Sequence, residues 1–279
     1  MSSIICIYHA NCPDGFGSAF AAWKRYGNTI DYYPAMHNTT PPFDLIKDKH
    51  VYLLDFSYKK DAVNSMFQYA KVISIIDHHK SAIENLSDVS GLHKILDVNK
   101  SGAVLAWEYF NKNVPVPEFL KYIQDRDLWK FELPNSKEVT TAILSYEYNF
   151  KIWDEFLLYR PICDLIKEGS ALYRKHMKDI LELIKTTKKR INILGYNVPI
   201  ANAPYCYASD ICDILCENEP FACSYYFKNN DSIYVSIRSK QDVGIDVSEI
   251  AKRFGGGGHK HASGFEITVN DNLIQNLFN

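Results

Sequence analysis

The stretch Val72-Ile73-Ser74-Ile75-Ile76-Asp77-His78-His79-Lys80 constrains the fold more than any other in the chain. Its β-branched apolar run, interrupted by one Ser, reads as a buried strand. A carboxylate and two imidazoles follow at once. In an open α/β sheet, ligands sit beyond the carboxyl ends of the strands. The triplet therefore stands where a metal or a phosphate would bind. Taken alone, it is equally compatible with a satisfied polar cluster at a strand end.

The arrangement recurs upstream. Ile4-Ile5-Cys6-Ile7-Tyr8 reads as a first buried strand. It runs into His9-Ala10-Asn11-Cys12-Pro13-Asp14-Gly15-Phe16-Gly17-Ser18 and then an Ala-rich helix to about Trp23. Strand, polar glycine turn and helix together gather side chains and amide N–H groups at one spot. Ile30 to Tyr33 reads as a short strand and Pro34 to Pro42 as a loop. Val51-Tyr52-Leu53-Leu54-Asp55 is again an apolar strand ending in a carboxylate. Asp55 or Ser57 could equally cap a helix around Asp61 to Tyr69. Strands alternating with helices imply a parallel sheet, whose carboxyl ends share one edge. His9, Asp14, Asp55, Asp77 and His78 then converge on that edge.

Further along, Ser101-Gly102-Ala103-Val104 opens a helix to about Tyr109, with Ser101 as its cap or its N-terminus lining the pocket. A helix from about Pro117 to Ile123 leads into Gln124-Asp125-Arg126-Asp127-Leu128-Trp129-Lys130-Phe131, where an ion pair is the simplest reading. Residues 138 to 190 are helical in pattern, and their aromatics recur at core spacing. Strands return at Ile191–Leu194, Val198–Ala201, Ala222–Phe227 and Ile233–Arg238. Between them, a helix from Tyr207 to Cys216 carries Cys212 and Cys216 on one half-buried face. A helix from Ile245 to Phe254 precedes Gly255-Gly256-Gly257-Gly258-His259, read as a loop, and a final strand runs from Glu266 to Val269. Four consecutive glycines expose backbone N–H groups and allow close approach of an anion.

Composition limits the partners. A net charge of −2 argues against the broad basic face that long duplex nucleic acid needs. With 47% apolar residues the chain can bury the core of one large domain or two ordinary ones. Seven cysteines, an odd number without a CxxC pair, fit free thiols in a reducing compartment. No run approaches a membrane span or a signal segment, so a cytoplasmic protein is expected.

Together these blocks resemble the DHH phosphoesterase superfamily, in the branch with a DHHA1 C-terminal domain. The first block is His9 to Gly15, the second Leu54-Asp55, the third Asp77-His78-His79 and the fourth Asp127 to Phe131. The C-terminal signature is Ser236-Ile237-Arg238-Ser239 with Gly255 to His259 and Ala262-Ser263-Gly264. The resemblance covers nearly the whole chain. It implies an α/β fold of two domains. A parallel-sheet DHH catalytic domain would occupy residues 1–160, a helical linker 161–190 and a smaller α/β DHHA1 domain 191–279.

It also implies two divalent metals, most often manganese, with Mg²⁺, Zn²⁺ or Fe²⁺ as alternatives. Asp14, Asp55, His78 and Asp127 would hold one metal, Asp55 would bridge to the second, and His9 would hold that second ion. The metals would share a hydroxide that attacks phosphorus. Of the catalytic candidates, Asp77 would orient a histidine and His79 would face the phosphate. Arg238, Gly256, Gly257, Gly258 and His259 would clamp the substrate, in a cleft between the domains. Asp125 competes with Asp127 for the fourth block. Many relatives carry Asp-x-Asp-Gly in the first block, whereas here Cys12 stands at the first Asp. Either Cys12 coordinates as a thiolate, shifting preference toward zinc or iron, or that metal is held weakly.

The implied activity is metal-dependent hydrolysis of short oligonucleotides or small nucleotide phosphates. The alternatives are phosphoanhydride hydrolysis, as in an exopolyphosphatase or pyrophosphatase, and a nucleotide-binding module without turnover. No membrane partner is expected, and oligomerisation is left open. Tyr205, Tyr207 and Phe254 are candidates for stacking on a base.

Overall fold

A computed structural model describes residues 2–37, 39–228, 231–242 and 244–268. The chain divides into two compact units, Met1–Tyr173 and Arg174–Asn279. The first alternates β1 (Ile4–His9), α1 (Pro13–Tyr26), β2 (Asp31–Ala35), α2 (Phe43–Ile46), β3 (His50–Leu54), α3 (Lys60–Met66), β4 (Val72–Asp77), α4 (Lys80–Leu86) and β5 (His93–Leu96). It continues with α5 (Gly102–Phe110), α6 (Glu118–Asp127), α7 (Ser136–Leu144) and α8 (Phe150–Leu158). The long α9 (Ile162–Thr187) carries the chain from the first unit into the second.

The five strands of the first unit lie in the order β2-β1-β3-β4-β5, every pair parallel. Side chains alternate across a strand, so each strand feeds two cores. On one face Cys6, Tyr52, Leu54 and Ile76 join Phe20, Ala103, Trp107, Phe119 and Trp153. On the other, Ile5, Ile7, Val51, Leu53, Ile73 and Ile75 join Val63, Met66 and Leu86. Both faces being covered explains why the strands read as continuous apolar runs. The strand order reverses direction between β1 and β3, and ligands in such sheets bind at that crevice.

The aromatic core beside α1 has a direct stability consequence. Trp153 is fully buried, with its ring 4.8 Å from Phe16 and 5.7 Å from Phe119. Trp153→Ala is expected to cost about 3–5 kcal/mol. The check is a lower denaturant midpoint at unchanged slope.

The second unit contains β6 (Lys189–Ile193), β7 (Tyr196–Asn202), α10 (Ala208–Leu215), β8 (Ala222–Phe227), β9 (Ser232–Arg238), α11 (Val247–Arg253), β10 (Gly257–His259) and β11 (Ala262–Thr268). Its strands lie in the order β10-β11-β9-β8-β7-β6, antiparallel except for β7 with β8. Cys212 in α10 and Cys216 at its C-cap are buried in the core, on the inward side of a helix whose other side is partly exposed. All seven cysteines are free thiols. Among the described residues, no helix is long and apolar enough to cross a membrane.

Several expectations need correction. The short strand after α1 extends through Pro34 to Ala35, because β2 is an edge strand and a missing N–H is tolerated there. β5 was not expected at all: His93-Lys94-Ile95-Leu96 is short and not apolar enough to stand out. Neither Asp55 nor Ser57 caps α3, whose N-cap is Lys59 without a side-chain bond. The last strand begins at Ala262 rather than Glu266, and Val269 lies outside the described residues.

The tetraglycine segment is not a loop throughout. Gly257–His259 pairs with Ala262–Gly264, and the amides of Gly255 and Gly256 donate to Lys252 and Ala251 at the end of α11. A Cβ on Gly256 would lie 2.1 Å from the Gly264 carbonyl oxygen, and one on Gly258 2.6 Å from that of Ala262. Glycine is needed here for close backbone packing, a use that the run of four does not announce.

Candidate metal centre

The carboxyl ends of β1, β3 and β4 deliver their side chains to one place. Asp55 follows β3 in a left-handed conformation at φ +50°, which Asp tolerates better than most residues. Its amide donates to the Ile76 carbonyl at 2.9 Å, tying the turn to β4. The carboxylate is buried and faces imidazoles on both sides. His78 Nε2 lies 3.1 Å from Oδ1, and His9 Nδ1 lies 3.5 Å from Oδ2. The same His78 nitrogen is 3.5 Å from Asp14 Oδ2 and 3.4 Å from Asp127 Oδ2. Cys12 Sγ is 3.8 Å from Asp55 Oδ2.

Asp14 sits in the first turn of α1, yet its carboxylate points at another helix. The amides of Gly102 and Ala103, at the start of α5, donate to it at 2.6 and 3.0 Å. Ser101 caps α5 through Val104 N at 3.4 Å, so the cap and the pocket-lining readings both hold. Asp77 lies behind the cluster. Its Oδ1 accepts the His78 and His79 amides at 2.7 and 3.1 Å and faces His79 Nδ1 at 2.7 Å. That arrangement orients the His79 ring.

Asp125 and Asp127 part company. The Asp125 carboxylate accepts the Glu132 and Leu133 amides at 2.9 and 3.1 Å, clamping a turn in which Trp129 and Phe131 have positive φ. Asp127, at the last residue of α6, faces His78. Asp125→Ala is therefore expected to lower stability by about 1–3 kcal/mol while metal stoichiometry stays at the parent value, read by calorimetry and elemental analysis.

Three carboxylates share this space, Asp14 and Asp55 buried and Asp127 half-buried, and they cannot all ionise comfortably. Burial, then the charges of Asp127 and Asp55, push the Asp14 carboxyl well above its ordinary range. Burial and Asp55 push Asp127 up, against His78. Burial also disfavours ionised Asp55, but the neighbouring imidazoles of His78 and His9 hold it well below the usual range. Burial opposes charge on His78, and Asp127, Asp55 and Asp14 more than reverse it, so its pKa rises. Asp55 Oδ1, Asp127 Oδ2 and His9 Nδ1 are buried and make no hydrogen bond among the described residues. Such groups are costly unless paired or coordinated to a cation. Donor atoms of Asp14, Asp55 and His78 lie within 4.8 Å of one another, as do those of His9, Cys12 and Asp55. A carboxylate-rich set with imidazoles fits divalent cations.

The chain is similar to several known proteins. The DHHA1 domain family matches residues 208–278. A mimivirus protein, R106 of Acanthamoeba polyphaga mimivirus, is 36% identical over 282 residues, covering 93% of this chain and 66% of R106. Oligoribonuclease NrnB of Bacillus subtilis is 25% identical over 298 residues, covering 94% of this chain and 72% of NrnB. The chain belongs to the DHH superfamily of phosphoesterases, in the branch with a DHHA1 domain. Among solved structures, RecJ of Thermus thermophilus in complex with Mn²⁺ aligns with a TM-score of 0.48 at 12% identity. That alignment covers 94% of this chain and 49% of RecJ.

In this DHH protein the first, second and third blocks and Asp127 thus meet in one unit, around Asp55. His37 joins them and was not foreseen. Its ring is 4.8 Å from that of His9, 6.4 Å from that of His79 and 5.2 Å from that of Phe56. Burial and the other two imidazoles push its pKa down to about 3. The signal was available: β2 is a fourth parallel strand, so the segment after it reaches the same edge.

The DHHA1 candidates lie in the second unit. Arg238 is held by its own unit, donating to the carbonyls of Ile237 and Ser263 at 2.9 and 3.2 Å and to Ser209 Oγ at 3.0 Å. Gly257, Gly258 and His259 form the edge strand β10, and Gly256 precedes it. Phe254 stacks on Phe265 in the core at 4.4 Å, and Tyr207 stacks on His176 at 5.1 Å, whereas Tyr205 is exposed.

Proposed function

We propose that this chain is a metal-dependent phosphohydrolase acting on short oligonucleotides or small nucleotide phosphates. The observation that carries the reading is Asp55, a buried carboxylate at the strand-order reversal, placed among His9, Cys12, Asp14, His78 and Asp127. Asp14, Asp55, His78 and Asp127 would hold one divalent ion. Asp55 would bridge to a second ion held with His9. Divalent ions so placed supply Lewis-acid stabilisation of phosphoryl oxygens and activation of water at neutral pH.

The protein's own contribution is order. The α5 amides fix Asp14, and the turn after β3 aims Asp55. Asp77 holds His79 in one orientation, where its ring would meet a phosphate oxygen. Burial opposes charge on His79, but Asp77 raises its pKa, which favours a cationic ring toward an anion. In the second unit, the fixed guanidinium of Arg238 and the Gly256–His259 segment would take the phosphates of a short substrate. The net charge of −2 suits a short anionic ligand better than a long duplex. The oligoribonuclease name of the Bacillus relative supports the same substrate class.

The test is a panel of end-labelled di- to pentaribonucleotides, pAp and polyphosphate, incubated with Mn²⁺ or with chelator. Mononucleotide release from the oligomers with Mn²⁺, and none with chelator, is expected. Phosphate release from polyphosphate with intact dinucleotides would replace the substrate class. Saturating Mn²⁺ should also stabilise the fold, by about 4 kcal/mol at a thousandfold excess over Kd.

A further inference from the structure

The two donor sets that share Asp55 differ in chemistry. One offers carboxylate oxygens and an imidazole: Asp14, Asp55 and His78, with Asp127 beside them. The other offers one imidazole, one thiol and one carboxylate: His9, Cys12 and Asp55.

Cys12 has no visible duty in the fold. It occupies the N-cap of α1 in an extended conformation, where Ser, Thr, Asp or Asn would normally accept an amide. Its sulfur makes no cap bond, and Pro13 at the first helical position needs none. Cys12 Sγ instead turns to Asp55 Oδ2 at 3.8 Å. A further atom points to a ligand on that side. His9 Nδ1 is buried without a hydrogen bond among the described residues, 3.5 Å from the same Oδ2. Asp55 itself is 1% exposed, with its other oxygen, Oδ1, facing His78.

Resting on the dinuclear reading above, we propose that the centre is heterometallic. A hard ion such as Mn²⁺ occupies the Asp14–Asp55–His78–Asp127 position. A thiolate-preferring ion, Zn²⁺, occupies the His9–Cys12–Asp55 position. Thiolate ligands select zinc over manganese, whereas carboxylates with a single imidazole suit manganese and magnesium. Asp55 is the shared ligand that couples the two.

The experiment uses Co²⁺ as a spectroscopic probe on the full chain, with Cys12→Ser and Cys12→Asp beside the parent. An intense near-ultraviolet sulfur-to-cobalt charge-transfer band is expected in the parent and absent in Cys12→Ser. This comparison also removes any contribution from the other cysteines. After dialysis against equal Zn²⁺ and Mn²⁺, elemental analysis should give one of each in the parent. Altering even a group that only supports a metal ligand costs about 10–100-fold in affinity. Cys12→Asp should therefore lower Zn²⁺ affinity by at least about tenfold and leave Mn²⁺ at both positions. A parent that binds two Co²⁺ without the band overturns the proposal and leaves the dinuclear reading standing. So does a band that persists in Cys12→Ser, or a metal ratio unmoved in Cys12→Asp. A parent that binds no Co²⁺, Zn²⁺ or Mn²⁺ overturns both.

Discussion

Asp55→Asn is expected to lower kcat by at least about a thousandfold, the upper end of what losing one oriented electrostatic group costs. The substitution keeps the shape of the side chain and removes its charge. Asp55 stands in both donor sets, so its loss would weaken two metal positions at once. Its oxygens lie 3.1 Å from His78 and 3.5 Å from His9, and an amide would set an N–H₂ against one of those rings. Both ions should bind more weakly, and stoichiometry measured after gel filtration should fall below the parent's. A variant that keeps the parent's stoichiometry and more than a tenth of its turnover would remove Asp55 from the centre of the functional reading. The fold itself should survive, because the backbone hydrogen bond of residue 55 to Ile76 does not depend on the carboxylate.

What the sequence made legible was whatever follows from strand periodicity. His9, Asp55, Asp77 and His78 are strand-end residues, and a parallel sheet places strand ends together regardless of the intervening chain. Asp14 was read with the glycine turn after β1, whereas Asp127 was reachable only through the family blocks. Asp14 lies inside a helix and reaches the site because α5 offers two amides to it, a contact spanning 88 residues. Asp127 could not be separated from Asp125 by pattern, since both carboxylates are near a helix end. The turn they bound decides between them, through the amides of Glu132 and Leu133 that only Asp125 accepts. His37 was hidden for a different reason: Pro34 suggested that the strand had stopped, and a lone histidine in a loop carries no periodic signal. The glycine run misled in the opposite direction. Its flexibility suggested an open anion loop, whereas steric closeness to β11 accounts for Gly256 and Gly258.

Gly102→Ala should damage the centre although it adds only a methyl group. A Cβ there would lie 2.5 Å from Asp55 Cβ and 2.9 Å from both its Cγ and Oδ1. Asp55 cannot retreat freely, because its backbone is already held at φ +50° and its carboxylate is buried. The start of α5 cannot retreat either without drawing the Gly102 amide away from Asp14, 2.6 Å distant. Either movement disturbs a carboxylate of the centre. Overpacking of this kind typically costs about 1–3 kcal/mol, and the loss should appear in thermal melts under chelator. Metal affinity should fall with it, with turnover reduced at least about a hundredfold, since misplacing reacting groups by about 1 Å has that effect. The two readouts separate this variant from Asp55→Asn, which weakens metal binding mainly through charge. If Gly102→Ala melts with the parent under chelator and binds metal as tightly, the close seating of Asp55 against α5 does not position the site.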